Sequence, residues 1–316
     1  MRIIFFGTGD FAIPTLRKLL HSGNEIQCVV TQPDSRRGRG WNLLPSPVKA
    51  FAEKAAPGIP ILQPVSASEE EFLSGIRSKK PDLIVVVDYG QFLKKALLEI
   101  PSMECVNLHP SILPKYRGAA PVNWAILNGE TRTGVTVFRM SARMDAGDIL
   151  FADELDIREN EKASDLLDRL SQKGADLIVG SLEKISSGRV TPKPQDEKAA
   201  TFAPKLAKND GEIDWKDGAE RILRLVRAMD PWPSSWTRIE GRSLKILDAS
   251  MADGGGSDSI PGTVTSEYPL IVKTGDNKGI LINTLQMEGK KQMSAEEFIR
   301  GYGDIQWMVL GSQTVS

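Results

Sequence analysis

Histidine and cysteine are almost missing from this chain, at two residues each in 316. So few thiols build no disulfide framework. Cys28 and Cys105 both fall in apolar, strand-like runs, as buried thiols do in a reducing cytosol. No Cys/His grouping has metal-ligand spacing, so no metal is expected. No apolar run approaches the ~18 residues of a membrane span, so no membrane partner is expected. Met1–Gly7 is too short an apolar stretch for a signal peptide and reads as a first buried strand. Charge of one sign is also lacking: 40 basic against 41 acidic residues leave a net charge of -1. Nothing global marks a nucleic-acid binder, and any such contact must come from a local patch. What remains is an ordinary cytoplasmic globular protein, expected to be a monomer and long enough for two domains.

The first half alternates short apolar runs with helical patterns. Arg2–Phe6, Glu25–Thr31, Leu83–Val87 and Cys105–Leu108 read as strands, and Ala12–Ser22 reads as an amphipathic helix. Such alternation predicts an α/β fold, a Rossmann-like, open and mostly parallel sheet covered on both faces, with ligands beyond the carboxyl ends of the strands. Two further strands, Gly134–Arg139 and Ile149–Leu155, bracket a loop, and a helix over Ala163–Ile185 closes a domain assigned to residues 1–189. Residues 190–209 carry three prolines and mixed charge without periodicity and read as a surface linker. In 210–316 a helix over Trp215–Met229 precedes short strands at Ser235–Ile239, Leu244–Leu247, Gly262–Thr265, Leu270–Lys273 and Gly279–Leu285. Short strands with turn-rich connections predict a small, OB-like β-barrel.

The most informative stretch is Asn107-Leu108-His109-Pro110-Ser111-Ile112-Leu113-Pro114-Lys115-Tyr116-Arg117-Gly118-Ala119-Ala120-Pro121. It is answered 36 positions beyond the histidine by Asp145-Ala146-Gly147-Asp148. In an extended segment residues i and i+2 share a face, so Asn107 and His109 point into one cleft at a strand end. A carboxamide, an imidazole and a carboxylate suit acyl transfer, where an oxyanion is stabilised and a proton moved. Taken singly, Asn-x-His is a capping pair and Asp-Ala-Gly a turn. Their spacing and flanking strands favour the catalytic reading of Asn107, His109 and Asp145.

This segment resembles the signature of the 10-formyltetrahydrofolate-dependent formyltransferases. The likeness extends to Arg2-Ile3-Ile4-Phe5-Phe6-Gly7-Thr8, Thr31-Gln32-Pro33-Asp34, Pro45-Ser46-Pro47-Val48-Lys49 and Asp230-Pro231-Trp232-Pro233, nearly the full length. The resemblance implies that an amine attacks the formyl carbon of 10-formyltetrahydrofolate, with no metal needed because a formamide is already activated. The amine it implies is the α-amino group of initiator methionyl-tRNA, with the C-terminal domain helping to hold the tRNA. Ser111, Ile112, Leu113 and Pro114 resemble the folate-contacting segment, and the loop through Asp88 and Tyr89 forms the opposite wall. Asp88 departs from the small residue usual there.

The loop from Pro33 to Pro47 holds Arg36, Arg37 and Arg39 with Trp41 among them and Lys49 just beyond. A bare charge run is usually a solvated face. Placed after a strand and carrying an aromatic, this one suits phosphates and a stacked base. In tRNA-acting members a basic loop here enters the acceptor stem, and Arg39 matches its key arginine. Lys115 and Arg117 extend the patch, and Arg221, Arg224, Arg227, Lys290 and Lys291 are candidates further on. Gly7-Thr8-Gly9-Asp10-Phe11-Ala12 fits a dinucleotide fingerprint, but Thr31-Gln32-Pro33 supplies no acid at the second strand's end, so it reads as a tight turn. His21 reads as a helix cap. The rival functions are formylation of an amino sugar nucleotide, formylation of glycinamide ribonucleotide, and non-catalytic nucleotide or RNA binding.

Overall fold

The structure is a computed structural model that describes residues 1–37, 40, 42–253 and 258–311. The chain divides into two compact units. One comprises Met1–Pro121, Arg132–Asp156 and Leu167–Pro204; the other comprises Val122–Thr131, Ile157–Leu166 and Lys205–Ser316.

The chain starts with β1 (Arg2–Gly7), α1 (Ile13–Leu20), β2 (Glu25–Val30), β3 (Ser35–Arg37), β4 (Asn42–Leu44), α2 (Pro47–Ala55) and β5 (Ile61–Leu62). It continues with α3 (Glu70–Ser78), β6 (Leu83–Val87), α4 (Lys95–Leu98), β7 (Glu104–His109), β8 (Arg117–Gly118), α5 (Pro121–Leu127), β9 (Arg132–Arg139), β10 (Ile149–Asp156), α6 (Ala163–Ser186) and β11 (Phe202–Ala203). Seven strands form one sheet in the order β10-β9-β7-β6-β1-β2-β5. The five from β7 to β5 run parallel, and β9 and β10 add antiparallel to the β7 side. The parallel sheet expected from the apolar runs is therefore present.

Continuous apolar strands follow from burial on both faces. Ile4, Phe6, Ile84, Val86 and Cys105 enter one cluster with Leu73 and Ile76 of α3 and Leu97 of α4. Alternate residues turn to the other face, where α6 passes over Leu108 at Gly174. Phe6 meets Tyr89 edge to face at 5.1 Å. Each such side chain contributes about 1.5–3 kcal/mol by leaving water, so the strand ends are carried on a rigid base. Burial pushes the Cys28 thiol up to about 11 and raises Cys105 as well, which keeps both thiols protonated and unreactive.

The second unit holds α7 (Ala219–Ala228), then β12 (Ser235–Ile239), β13 (Arg242–Ala252), β14 (Val264–Glu267), β15 (Leu270–Lys273), β16 (Gly279–Met287), β17 (Met293–Ser294) and α8 (Ala295–Tyr302). The six strands form an antiparallel sheet in the order β12-β13-β16-β15-β14, with β17 on β16. Ile222 and Val226 of α7 and Phe298 and Ile299 of α8 pack into its core with Leu244, Ile246, Val272 and Leu285. Among the described residues no helix is long and apolar enough to cross a membrane.

Residues 193–203, within the stretch read as a surface linker, are hydrogen-bonded along the first unit. Lys193 bridges Ile149, β11 pairs parallel with β8, and Ala203 O accepts from Ala119 N and Ala120 N. These are backbone contacts, which leave no periodic trace in side chains.

Candidate active site

β7 is the last parallel strand. β6 on one side and β9 on the other hold Asn107 opposite Val86 and Phe138. Asn107 and His109 share a face of β7 at its carboxyl end, Asn107 half-buried and His109 only 4% exposed. His109 Nε2 lies 2.9 Å from the Tyr116 carbonyl. A carbonyl only accepts, so Nε2 carries the hydrogen and Nδ1 is the ring nitrogen left as an acceptor. Asp145 Oδ2 lies 3.8 Å from that Nδ1. This is longer than a direct hydrogen bond and short enough to close with a small movement.

Asp145 stands in the loop between β9 and β10 at φ 48, a left-handed conformation that aspartate tolerates. Its Oδ2 accepts from Gly118 N at 2.9 Å. Its carbonyl and that of Gly147 accept from Gln195 Nε2 at 2.8 and 2.7 Å. The backbone at Gly147 passes so close to β9 that a Cβ would sit 1.7 Å from Arg139 O. Gly147→Ala is therefore expected to cost about 1–3 kcal/mol, the usual range for overpacking, and to lower turnover by moving Asp145. Thermal melts beside kcat measurements check both effects.

The loop after His109 is tied to itself. Ser111 is fully buried, its Oγ donating to Lys115 O at 2.7 Å, and Thr136 Oγ1 donates to Ser111 O while accepting from Leu113 N. Leu113 is buried as well, whereas Ile112 and Pro114 keep partial surface. The Tyr89 side chain is 2% exposed and lies in the core against Phe6. The Tyr89 carbonyl accepts from Thr8 Oγ1 and Gln32 Nε2.

Asp88 sits beside it at φ 47, its carbonyl accepting from Thr8 N. Its Oδ2 occupies the place of a Cβ at Gly9, 2.0 Å from the ideal position, so the two residues depend on each other. The carboxylate reaches solvent, yet it is crowded by the strand ends. That desolvation, with the charge of Asp10 second, pushes its carboxyl up to about 6. A carboxyl raised in the fold lends stability while protonated and loses it as pH rises from ~3.9, the unfolded value, through about 6. Asp88→Asn should melt progressively higher than the parent across that window and hold a constant, modest advantage above it. A gap between their melting temperatures that does not vary with pH would refute this.

The basic loop is a hairpin: Ser35 pairs with Leu44, Arg36 with Leu43 and Arg37 with Asn42. Arg36 is exposed, as are Leu43 and Leu44. Arg39 and Trp41 lie outside the described residues. Of the two residues expected to extend the patch, Lys115 is exposed and Arg117 is buried, and Lys49 beside the loop is ion-paired. Lys49 Nζ is held by Asp34 at 2.8 Å and by Gln63, and Arg117, 4% exposed, is bound by Gln195 and Glu197. In the second unit Arg221 and Arg224 pair with acids one turn back, Asp217 and Glu220. Arg227 donates to Glu159 O. Lys290 and Lys291 are exposed. The Gly-rich turn after β1 is structural: Thr8 ties it to Asp88, Tyr89 and Gln32. His21 closes α1, its Nδ1 2.8 Å from Arg17 O. Gln195 and Thr201 escape a reading of the sequence, since nothing marks one amide or hydroxyl in a polar stretch.

Imidazole, carboxylate and carboxamide at the carboxyl ends of a parallel sheet, in a chain continued by an antiparallel β unit, define a two-part α/β group-transfer enzyme. The comparison with known families narrows that class. The chain belongs to the formyl transferase family: residues 1–182 match its "Formyl transferase" model and residues 205–303 its "Formyl transferase, C-terminal domain" model. Among its relatives, the methionyl-tRNA formyltransferase of Geobacter metallireducens is 45% identical over 95% of this chain and 96% of that protein. That of Geotalea uraniireducens is 44% identical over 99% of each. Among solved structures, the sugar 3N-formyl transferase WlaRD superposes with a TM-score of 0.66 at 20% identity, covering 92% of this chain and 99% of that one. HypX from Aquifex aeolicus, crystallised with tetrahydrofolic acid, superposes at 0.65 with 18% identity over 95% of this chain and 47% of its own. At those identities the two structures speak for the fold.

Proposed function

We propose that the protein transfers the formyl group of 10-formyltetrahydrofolate to the α-amino group of initiator methionyl-tRNA, giving N-formylmethionyl-tRNA. Relatives of that name, more than 40% identical over nearly the whole chain, support the substrate pair. The observation that carries the chemistry is the approach of Asp145 to the one free edge of His109. The amine nitrogen attacks the formyl carbon, and the carbonyl electron pair moves to oxygen. The new C–N bond stays as the bond to N10 breaks, and the proton lost by the amine is balanced by one gained at N10. Asn107 donates its carboxamide N–H to the developing oxyanion. His109 carries the proton at Nδ1, and Asp145 pairs with the imidazolium that forms. The loop of Ser111, Ile112, Leu113 and Pro114 and the main chain at Asp88 and Tyr89 form the walls for the flat heterocycle of the folate. Arg36 and Arg37 of the β3–β4 pair, with Arg39 and Trp41 close by in the sequence, meet the tRNA backbone and end.

In this reading the protein acts in the cytoplasm as a monomer, with residues 1–204 catalytic and the rest aiding tRNA binding. Pure protein given labelled 10-formyltetrahydrofolate, charged tRNA and an amino sugar nucleotide together tests it. Label is expected on the tRNA alone, and label on the sugar alone overturns the choice of acceptor.

A further inference from the structure

We propose that Gln195 is a positioning residue for the transfer step, acting through Asp145. This inference rests on the role given to Asp145 above. The side chain of Gln195 has all its hydrogen-bonding capacity engaged. Two N–H bonds go to the carbonyls of Asp145 and Gly147, at 2.8 and 2.7 Å, and Oε1 accepts from Arg117 Nε at 3.0 Å and Nη2 at 2.8 Å. An amide offers two donors and two acceptor lone pairs, so no other side chain of this length replaces it. The targets are the backbone of Asp145 itself and of the residue two further on, in a loop outside the regular ladder.

Neighbouring residues of the same segment hold the other half of the pair. Thr201 Oγ1 accepts from Tyr116 N at 2.9 Å, and Thr201 O accepts from Arg117 N. The Tyr116 carbonyl in turn takes the His109 Nε2 hydrogen. Glu197 completes the fastening. It binds Arg117, which keeps its carboxyl below the usual range, and it also holds Arg143, two residues before Asp145. One stretch of seven residues, Gln195 to Thr201, thus sets both the face of His109 and the place of Asp145. A misplacement near 1 Å of a catalytic group costs about 10²-fold in rate, so this fastening bears on chemistry rather than on substrate affinity.

Gln195→Glu keeps the length and the acceptor for Arg117 but turns a carboxylate toward the two carbonyls. It is expected to lower single-turnover kcat about 10²-fold while KM for folate and tRNA stays nearly unchanged. In an Asp145→Asn background the same substitution should cost nothing further. An equal loss in both backgrounds, or a raised KM with normal kcat, overturns the proposal. If Asp145→Asn alone keeps parental kcat, the role of Asp145 fails and takes this inference with it. If Asp145→Asn is slow and Gln195→Glu is not, only this inference falls. Because the chain has two histidines, the ring ¹⁵N shifts give a second readout independent of rate. Gln195→Glu should move those of His109 and leave His21 in place, and unmoved His109 signals count against the proposal.

Discussion

Alanine at His109 is expected to lower kcat by about 10²–10⁴-fold, the span that positioned acid–base groups supply, with KM for both substrates close to parental. The imidazole shares its β7 face with Asn107 and with Cys105, whose buried thiol stays protonated, and its Nε2 is already committed to Tyr116 O. Losing the ring removes the Nδ1 edge that faces Asp145, and no other imidazole can substitute, since His21 closes a helix elsewhere. The substitution also strips a donor from a buried carbonyl, worth about 1–3 kcal/mol, so the variant should melt lower yet remain folded. Formyl transfer measured below the shifted melting temperature separates the two losses. Unchanged turnover there would remove His109 from the mechanism.

Asn107→Ala should cost about 10²–10³-fold in kcat, as removal of one oxyanion donor does. Its backbone is fixed by the strand rather than by a loop: the register with Val86 and Phe138 leaves β7 no freedom to slide. Preorganisation of that kind spares reorganisation as charge develops. Asn107→Asp makes the sharper comparison, because it keeps the shape and replaces the donor by an acceptor. It should be no faster than Asn107→Ala. Activity restored by aspartate would show that Asn107 serves as a spacer and not as a donor. Both assays need saturating folate and tRNA, so that the effect falls on the chemical step.

Much of this architecture is legible in the residues because burial on two faces forces an unbroken apolar run. Leu83–Val87 is β6 to the residue, and Ser235–Ile239 and Leu270–Lys273 coincide with β12 and β15. The shared face of Asn107 and His109 follows from strand geometry alone. The β3–β4 hairpin is not legible, because Ser35-Arg36-Arg37 and Asn42-Leu43-Leu44 have no apolar alternation and pair with each other in a two-stranded sheet of their own. Arg117 illustrates a different failure. A cation in a basic neighbourhood reads as a phosphate contact, yet its partners Gln195 and Glu197 lie 78 and 80 positions away. Composition is blind to pairing over that distance.

The docked stretch from Lys193 to Ala203 changes where the chain can be cut. A fragment ended at residue 182, the close of the first family match, or at 189, where the composition shifts, would contain Asn107, His109 and Asp145 and still lack both the amide beneath Asp145 and the hydroxyl behind Tyr116. A piece kept through Pro204, where the first compact unit ends, retains both contacts, and in the proposed reading earlier truncation would loosen Asp145 and Tyr116.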